Sequence, residues 1–561
     1  MPAATQIPRS LASYVRLLDT EGILADISLP AHPESGICGA AGKDGAVGDT
    51  IGNGRGASPS DTAHAGAPDA HESDKARRAN VEGLQDLLID FATDDSREVC
   101  PHTLFVCKGA TFKRAYLLSA IEAGAVAYVS EVDYHVGIPP VRVTDIRITL
   151  GLLADAAYAH PSGDLSVCAF TGTKGKTTCA YYLKHLLDAR ARRIHATPAG
   201  LFSTVDYFDG VGSGSSSLTT PESFQLERQL ANARTAGPRG LDYVVMEASS
   251  QALKYERTRG VDFAVGAFIN IGEDHISPIE HPDFEDYFTS KLKLFKQART
   301  AVVNLDMDHV DRVLGAARAC PDLITYALKD PRADVFAEAL SATERGIVAR
   351  VRTPSFTREI EIATPVAFNV SNALAVIACA LALGVEEEDI VHGFQDVRVP
   401  GRMELYPIAS GHILGVVDYA HNGMSLETLL TDLHKTFPDR ELAVVFGATG
   451  GKGVDRRETM GEAAGRLADR IVITEDDPGP EDPAAIADAI AAAVHRQGKV
   501  PCQIILDRVE AIRTCVRETA RPALVIVTGK GSDPYMLRNG VHEPYVPDGI
   551  TLAQALEEFE A

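Results

Sequence analysis

An apolar run (Leu165, Val167, Ala169, Phe170) passes directly into Thr171-Gly172-Thr173-Lys174-Gly175-Lys176-Thr177-Thr178, and a helical pattern follows at once. A strand, a glycine turn and a helix start in such short order restrict the chain to an α/β sheet carrying a tight turn at a strand end. Gly172 and Gly175 let the backbone curl so that its N–H groups face phosphate oxygens. The helix N-terminus adds partial positive charge, Lys176 reaches the terminal phosphates, and the Thr177 hydroxyl suits Mg²⁺. The general phosphate-loop pattern places a glycine where this chain has Phe170, so the loop is the shorter Gly-Thr-x-Gly-Lys-Thr form. Taken alone it reads as an ATP site, against a glycine turn that holds no ligand.

At 561 residues the chain exceeds one core and implies three domains. Apolar runs at 87–89, 103–106 and 125–129, with a helix at 115–123, predict a first α/β domain over 1–160. Residues 31–80 within it are rich in Gly, Ala, Ser, Asp and Pro, and read as a disordered insertion. A second domain, 161–399, carries the loop and strands at 241–246, 263–269 and 301–305. A third, 400–561, has strands at 413–417, 442–446, 470–474, 503–506 and 523–528. The alternation predicts mostly parallel sheets with helices on both faces, and ligands at the carboxyl ends of strands. No run is long and apolar enough to span a membrane, and the N-terminus lacks a signal-peptide core, so no membrane insertion is expected. Nine scattered cysteines without a C-x-x-C pair favour reduced thiols and the cytoplasm. A net charge of −23 argues against nucleic-acid binding.

Polar residues cluster where strands end. Val244-Val245-Met246-Glu247 is a buried-type strand ending in a carboxylate able to hold Mg²⁺. A solvated loop Glu is the weaker alternative after so apolar a strand. His275, in Gly272-Glu273-Asp274-His275, suits a second cation or a phosphate, although a lone loop His is more often structural. Lys291 and Phe295 share a helical face, which sets a lysine beside apolar residues; an ordinary surface lysine is the default. Arg402 and Asp418 suit a wall closing on a nucleotide, guanidinium to phosphate and carboxylate to ribose. Either alone would mean nothing.

Read in order, GTKGKTT, LTTPES, MEASSQ, FINIGEDH, YFTSKLKLF, FNVSNALA, GRME, VDYAHN and TGKGSDPY resemble the Mur ligase family over nearly the whole chain outside 31–80. The resemblance is strongest to members that add the third residue of the peptidoglycan stem. It implies three domains: an N-terminal UDP-binding one, a central ATPase and a C-terminal Rossmann-like α/β domain. It implies that Gly172, Thr173, Lys174, Gly175, Lys176, Thr177, Thr178, Asn372, Arg402 and Asp418 bind ATP. Lys176, Lys291, His275 and Arg402 are the implied catalytic group. Thr177, Glu247, His275 and Lys291, the last as a carbamate (N6-carboxylysine), are implied to hold Mg²⁺. Ser96, Arg97, Thr219, Thr220, Ser249 and Arg257 match contacts to a UDP-N-acetylmuramoyl dipeptide. Arg457, Asp476, Asp477, Pro478, Gly479, Gly529 and Asp533 match the amino-acid pocket. The implied reaction converts the D-Glu side-chain carboxylate to an acyl phosphate, which an amine then attacks. A cytoplasmic monomer is expected.

Members that use meso-diaminopimelate carry Asp-Asn-Pro-Arg, where this chain has Asp476-Asp477-Pro478-Gly479. The clamping Arg is missing, and Glu475, Glu481 and Asp482 add negative charge. An acidic pocket without the clamp favours a side chain ending in ammonium, so L-lysine leads, with ornithine and diaminopimelate as alternatives. Lys174 and PIEHPDFEDYF also resemble lysine-adding members. Two rivals remain: a folylpolyglutamate synthase, disfavoured by a dedicated first domain, and a non-catalytic UDP-peptide scaffold, disfavoured by the intact lysines and acids.

Overall fold

The computed structural model describes residues 4–27, 81, 83–109, 112–272, 276, 280–343, 346–395, 397–451, 455–519 and 522–561. The proposed insertion at 31–80 and the candidate ligand His275 lie outside the described residues. Two compact units result: Thr5–His160, and a larger one of Pro161–Ala561 with the N-terminal residues to Ala4.

The Thr5–His160 unit holds a five-stranded sheet. Its spatial order is Leu24–Ile27, Pro140–Val143, Ala125–Ser130, Thr103–Val106 and Phe91–Thr93. All neighbours are parallel except the first pair. The helix Arg114–Ala123 lies where the apolar spacing predicts it, and Leu117 and Ala120 are its buried positions. Thr103–Val106 is buried at every position, as befits a parallel strand covered on both faces.

Among the described residues the larger unit contains two large sheets and the two-stranded hairpin Tyr535–Arg538 and Val541–Pro544. The first has eleven strands, and the loop strand Ser166–Thr171 lies near its middle, between Tyr243–Glu247 and Phe263–Phe268. Both pairings are parallel. Successive residues of the loop strand serve opposite cores. Cys168 and Phe170 pack with Leu183, Leu186 and Ile377 on one face, and Val167 and Ala169 with Leu230, Phe268 and Phe288 on the other. The sheet extends beyond the strands read from sequence, through Asp322–Ala327 and Val335–Thr343 into the antiparallel Gly346–Arg352 and Thr357–Ile362. The second sheet has six strands. Ile413–Asp418, Ala523–Thr528, Glu441–Phe446, Arg470–Ile473 and Cys502–Ile504 run parallel in that order, with Glu404–Pro407 antiparallel at the edge. The mixed α/β class expected from the alternation is the class observed.

Candidate functional site

The loop between Ser166–Thr171 and the helix Lys176–Ile194 is held by its neighbours rather than by itself. Gly175 caps the helix in a left-handed conformation, φ +84°, and a β-carbon there would lie 2.6 Å from Asn372 Oδ1. Both facts require glycine at this position. Asn270, two residues past the neighbouring strand, pins the loop from the other side. Its Oδ1 accepts from Thr173 N–H at 3.0 Å and Lys174 N–H at 2.9 Å, and its Nδ2 donates to the Lys174 carbonyl at 2.9 Å. Asn372 is itself fixed, donating from Nδ2 to Asn369 Oδ1 at 2.9 Å.

Lys176 folds back on the loop and donates to the Gly172 and Thr173 carbonyls at 3.0 and 3.1 Å. Thr178 is buried behind it. The Thr177 hydroxyl donates to Glu247 Oε1 at 2.9 Å, and the same oxygen accepts from Thr204 N–H at 2.7 Å. Glu247 is 1% exposed. A hydroxyl and an anionic carboxylate, both buried and both hard oxygen donors, fit Mg²⁺ by their chemistry. Lys291 is also 1% exposed, and its Nζ donates to the Gly172 carbonyl at 2.8 Å and lies 4.6 Å above the Tyr287 ring. A buried lysine on the carbonyl of the glycine loop is not the surface lysine that its helix position gives by default. Tyr287 in turn donates from its hydroxyl to Thr173 Oγ1 at 3.0 Å.

Beside Glu247 lie further residues expected to contact substrate. Thr220 Oγ1 donates to the Glu247 carbonyl at 2.8 Å and accepts from Ser249 N–H at 3.0 Å. Ser249 Oγ caps the helix Ser250–Lys254. Arg257 donates to the Thr220 carbonyl at 3.3 Å and pairs with Glu222 at 2.8 Å. Thr219 Oγ1 accepts from Thr204 Oγ1 at 3.1 Å. Ser96 and Arg97 belong to the Thr5–His160 unit, in the turn after Phe91–Thr93, and the exposed Arg97 pairs with Asp95 at 2.6 Å.

From the six-stranded sheet, Asp418 ends its strand with Oδ1 accepting from Ala420 N–H at 2.9 Å and Oδ2 from Met403 N–H at 3.0 Å. Burial pushes its pKa up, against the pull of Arg402 and Lys174. The Arg402 guanidinium lies 4.2 Å over the Tyr419 ring.

The acidic stretch expected to receive an amino acid differs in one respect from the sequence reading: its charges are not open. Asp477 accepts both contacts of Lys530 Nζ, at 3.0 and 2.9 Å, and Asp533 a third at 3.2 Å. Lys530 is 1% exposed; burial alone would lower its pKa, but Asp477 and Asp533 outweigh that and raise it. Glu475 pairs with Arg538, and Glu481 takes Arg457 NH2 at 2.9 Å on both oxygens. The exposed Asp482 caps the helix Pro483–Gln497, accepting from Ala484 N–H at 3.0 Å, which leaves the buried Asp476 as the exception. It is buried against Gly529, whose backbone leaves no room for a β-carbon there, and burial pushes its carboxyl up to about 6. Pro478 and Gly479 are buried, and Gly479 is bridged to Arg538, the partner of Glu475. Gly479, φ +58°, donates to the Leu537 carbonyl at 3.0 Å, so the hairpin Tyr535–Arg538 and Val541–Pro544 backs the missing-Arg position.

Two family models match this chain: the Mur ligase middle domain over residues 170–380 and the Mur ligase glutamate ligase domain over 401–531. The chain belongs to the Mur ligase family. The UDP-N-acetylmuramoyl-L-alanyl-D-glutamate–L-lysine ligase of Streptococcus thermophilus is 39% identical to it over 467 residues, 82% of this chain and 92% of that one. The Enterococcus faecalis protein of the same name is 38% identical over 469 residues, covering 82% and 90%. Among solved structures, a UDP-N-acetylmuramoyl-L-alanyl-D-glutamate–2,6-diaminopimelate ligase superposes with a TM-score of 0.61 at 26% identity, covering 84% and 96%.

In this Mur ligase several residues beyond the sequence reading support the site. Asn270 and Lys530 are two, each marked only by standing just past a strand end. His281 is a third: it is fully buried, with Nδ1 2.6 Å from Asp286 Oδ2 and Nε2 3.0 Å from Ser250 Oγ. Burial lowers its pKa against the opposing pull of Asp286, which favours the neutral ring. The carboxylate assigns the proton to Nδ1, leaving Nε2 to accept from Ser250. His281 thus ties the Ser249-capped helix to the helix that bears Lys291.

Proposed function

We propose that this Mur ligase joins L-lysine to the D-Glu side-chain carboxylate of UDP-N-acetylmuramoyl-L-Ala-D-Glu at the expense of ATP, in the cytoplasm. The observation that carries the reading is the meeting of Lys176, Thr177–Glu247 and Lys291 around one glycine loop. The names of relatives at 38–40% identity support lysine as the amine. So does Gly479, whose left-handed backbone supplies no side chain for a second carboxylate.

In this reading the loop N–H groups and Lys176 hold the ATP phosphates, and Arg402 approaches from the second sheet. Bound Mg²⁺ would neutralise charge on the transferred phosphoryl group, and Thr177, Glu247 and Lys291 would hold it. Lys291 would do so as the carbamate formed with CO₂, which replaces a repelled cation by anionic oxygens. The carbamate nitrogen keeps one N–H, which is what the Gly172 carbonyl requires. Thr219, Thr220, Ser249 and Arg257 orient the UDP-linked substrate so that its carboxylate oxygen attacks the γ-phosphorus and ADP leaves. The lysine amine then attacks the acyl carbon, phosphate departs, and the amine proton is lost to solvent. Catalysis is positioning and charge neutralisation.

The test supplies UDP-N-acetylmuramoyl-L-Ala-D-Glu, ATP and Mg²⁺ with L-lysine, L-ornithine or meso-diaminopimelate, and follows phosphate release and product mass. Turnover with lysine alone is expected. Preference for diaminopimelate would overturn the reading of Gly479, and no turnover with any amine would favour a scaffold.

A further inference from the structure

The helix Leu11–Thr20 of the Thr5–His160 unit buries Leu11, Ala12, Val15 and Leu18 on one face. Beside that face runs a polar stripe at helical spacing, Arg9, Ser13, Arg16 and Thr20. The stripe lines an open hollow of about 280 Å³. Its other wall is Ala156 and His160, from the end of the helix Ile146–Ala157 and the turn after it. No carboxylate lines this hollow, although the chain carries a net charge of −23. The neighbouring Asp155 is engaged by His160 Nδ1. Arg97 and Arg142 of the same unit pair with Asp95 and Asp26, whereas Arg9 and Arg16 pair with no carboxylate among the described residues.

The donors around the hollow lack an acceptor. Arg9 Nε is shut off from water with no hydrogen-bond partner among the described residues, a costly state for a cationic N–H and one that an anion would relieve. Tyr14 lines the hollow although it is only 2% exposed. Burial pushes its pKa up to about 12 against the pull of Arg9, so the phenol keeps its proton and stands ready to donate beside that guanidinium. Ser13 adds a second hydroxyl, and the exposed Arg16 a second guanidinium at the rim. Two forked guanidiniums with two hydroxyls match a tetrahedral oxyanion better than a planar one. We propose that this hollow binds a phosphate group, as the free dianion or as a phosphomonoester. Pockets that enclose a drug-sized molecule run to about 300–1,000 Å³, so this smaller, open one takes the phosphate and leaves the rest of an ester in solvent. It shares no residue with the glycine loop. Arg9 pairs with Ile89, ahead of the strand Phe91–Thr93, while Ser96 and Arg97 lie past the other end of that strand. The hollow and the turn expected to meet the UDP-linked substrate are therefore at opposite ends of one strand.

The test is equilibrium dialysis of the full chain against labelled inorganic phosphate at constant ionic strength, with glycerol 1-phosphate and acetate as competitors. Arg9→Gln is expected to weaken one phosphate site at least about tenfold, and Arg16→Gln and Tyr14→Phe to weaken the same site about threefold each. Arg147→Gln removes a charge from the first turn of Ile146–Ala157, away from the hollow, and should leave that site unchanged. Melting curves identify any variant that fails to fold; if Arg9→Gln does, Arg9→Lys, which keeps the charge and loses the fork, takes its place with a smaller loss. Glycerol 1-phosphate that displaces the label more tightly than phosphate itself marks an ester as the ligand, and weaker displacement marks the free ion. Acetate that competes as well as phosphate would overturn the proposal. So would an equal loss in Arg147→Gln, which would show general surface charge only, or a phosphate site count and affinity that Arg9→Gln and Arg16→Gln leave as in the parent.

Discussion

Glu247→Gln separates the role of this residue in the fold from its role in chemistry. The carboxylate oxygen Oε1 accepts from Thr177 Oγ1 at 2.9 Å and from Thr204 N–H at 2.7 Å. A glutamine carbonyl can accept both. Each bond changes from charge-assisted to neutral, a loss of about 1 kcal/mol apiece. Against this, a group that is 1% exposed no longer carries a charge out of water, which returns a similar amount. The melting temperature should therefore stay within about 4 °C of the parent. Metal binding has no such compensation, because an amide oxygen replaces an anionic ligand. A loss of about 10- to 100-fold in Mg²⁺ affinity is the minimum expected, or about 1.4–2.8 kcal/mol. The assay is phosphate release against Mg²⁺ concentration at saturating ATP, alongside a melting curve. An unchanged Mg²⁺ midpoint in a folded variant would refute the assignment of Glu247 as a metal ligand. A collapse of the melting temperature would show that its charge is needed by the fold.

Other perturbations test other parts of the site. Gly175→Ala puts a β-carbon 2.6 Å from Asn372 Oδ1 on a backbone of φ +84°, and should weaken ADP binding at least ~10-fold by calorimetry; undiminished binding would refute the tight-loop account. Asp548→Asn leaves the Arg508 guanidinium, 1% exposed, without the carboxylate that binds it at two points of 2.8 Å. It should cost about 3–5 kcal/mol, read as a melting temperature lower by about 6–20 °C. Burial holds Asp476 at about 6, so from about pH 4 to pH 6 the native chain keeps a proton that the unfolded chain has released. Its contribution to stability therefore falls as pH rises through that window and stays lost above it. Asp476→Asn should gain melting temperature over the parent across the same window and hold the gain beyond; equal gains at pH 4.5 and pH 7 would refute the burial account.

Much of the fold can be read from the sequence because its strands are covered on both faces. Thr103–Val106, Ala523–Thr528 and Tyr243–Glu247 are short apolar runs bounded by polar turns, and parallel strands need no partner-specific signal to stand out. The antiparallel extension through Gly346–Arg352 and Thr357–Ile362 is not legible in the same way. Its residues alternate exposed and buried, and charged side chains such as Arg350 and Glu361 interrupt the apolar run. The loop announces itself through glycine and lysine spacing, but what holds it does not. Asn270 and Asn372 are ordinary residues until the sheet places their amides against Thr173, Lys174 and Gly175.

The acidic segment shows where sequence reasoning reaches its limit. Glu475, Asp476, Asp477, Glu481 and Asp482 lie within eight residues and read as unopposed charge awaiting a cation. Their partners are remote in sequence: Lys530 lies 53 residues from Asp477 and Arg538 lies 63 from Glu475. A local charge count cannot see them. With these pairs drawn and Asp482 an exposed helix cap, the case for an ammonium-bearing substrate rests on one carboxyl rather than five. Of the five, Asp476 alone is buried without a direct ion pair among the described residues, and burial has already weakened its hold on negative charge. An arriving ammonium would reverse that penalty, since opposite charge favours the ionised form. A second carboxylate would find Asp476 repelling it, and would find the nearby guanidinium of Arg538 already shared by Glu475 and Glu543. On the proposed reading, a preference for lysine would follow from which charges the fold leaves uncancelled, and not from how many acids the segment contains.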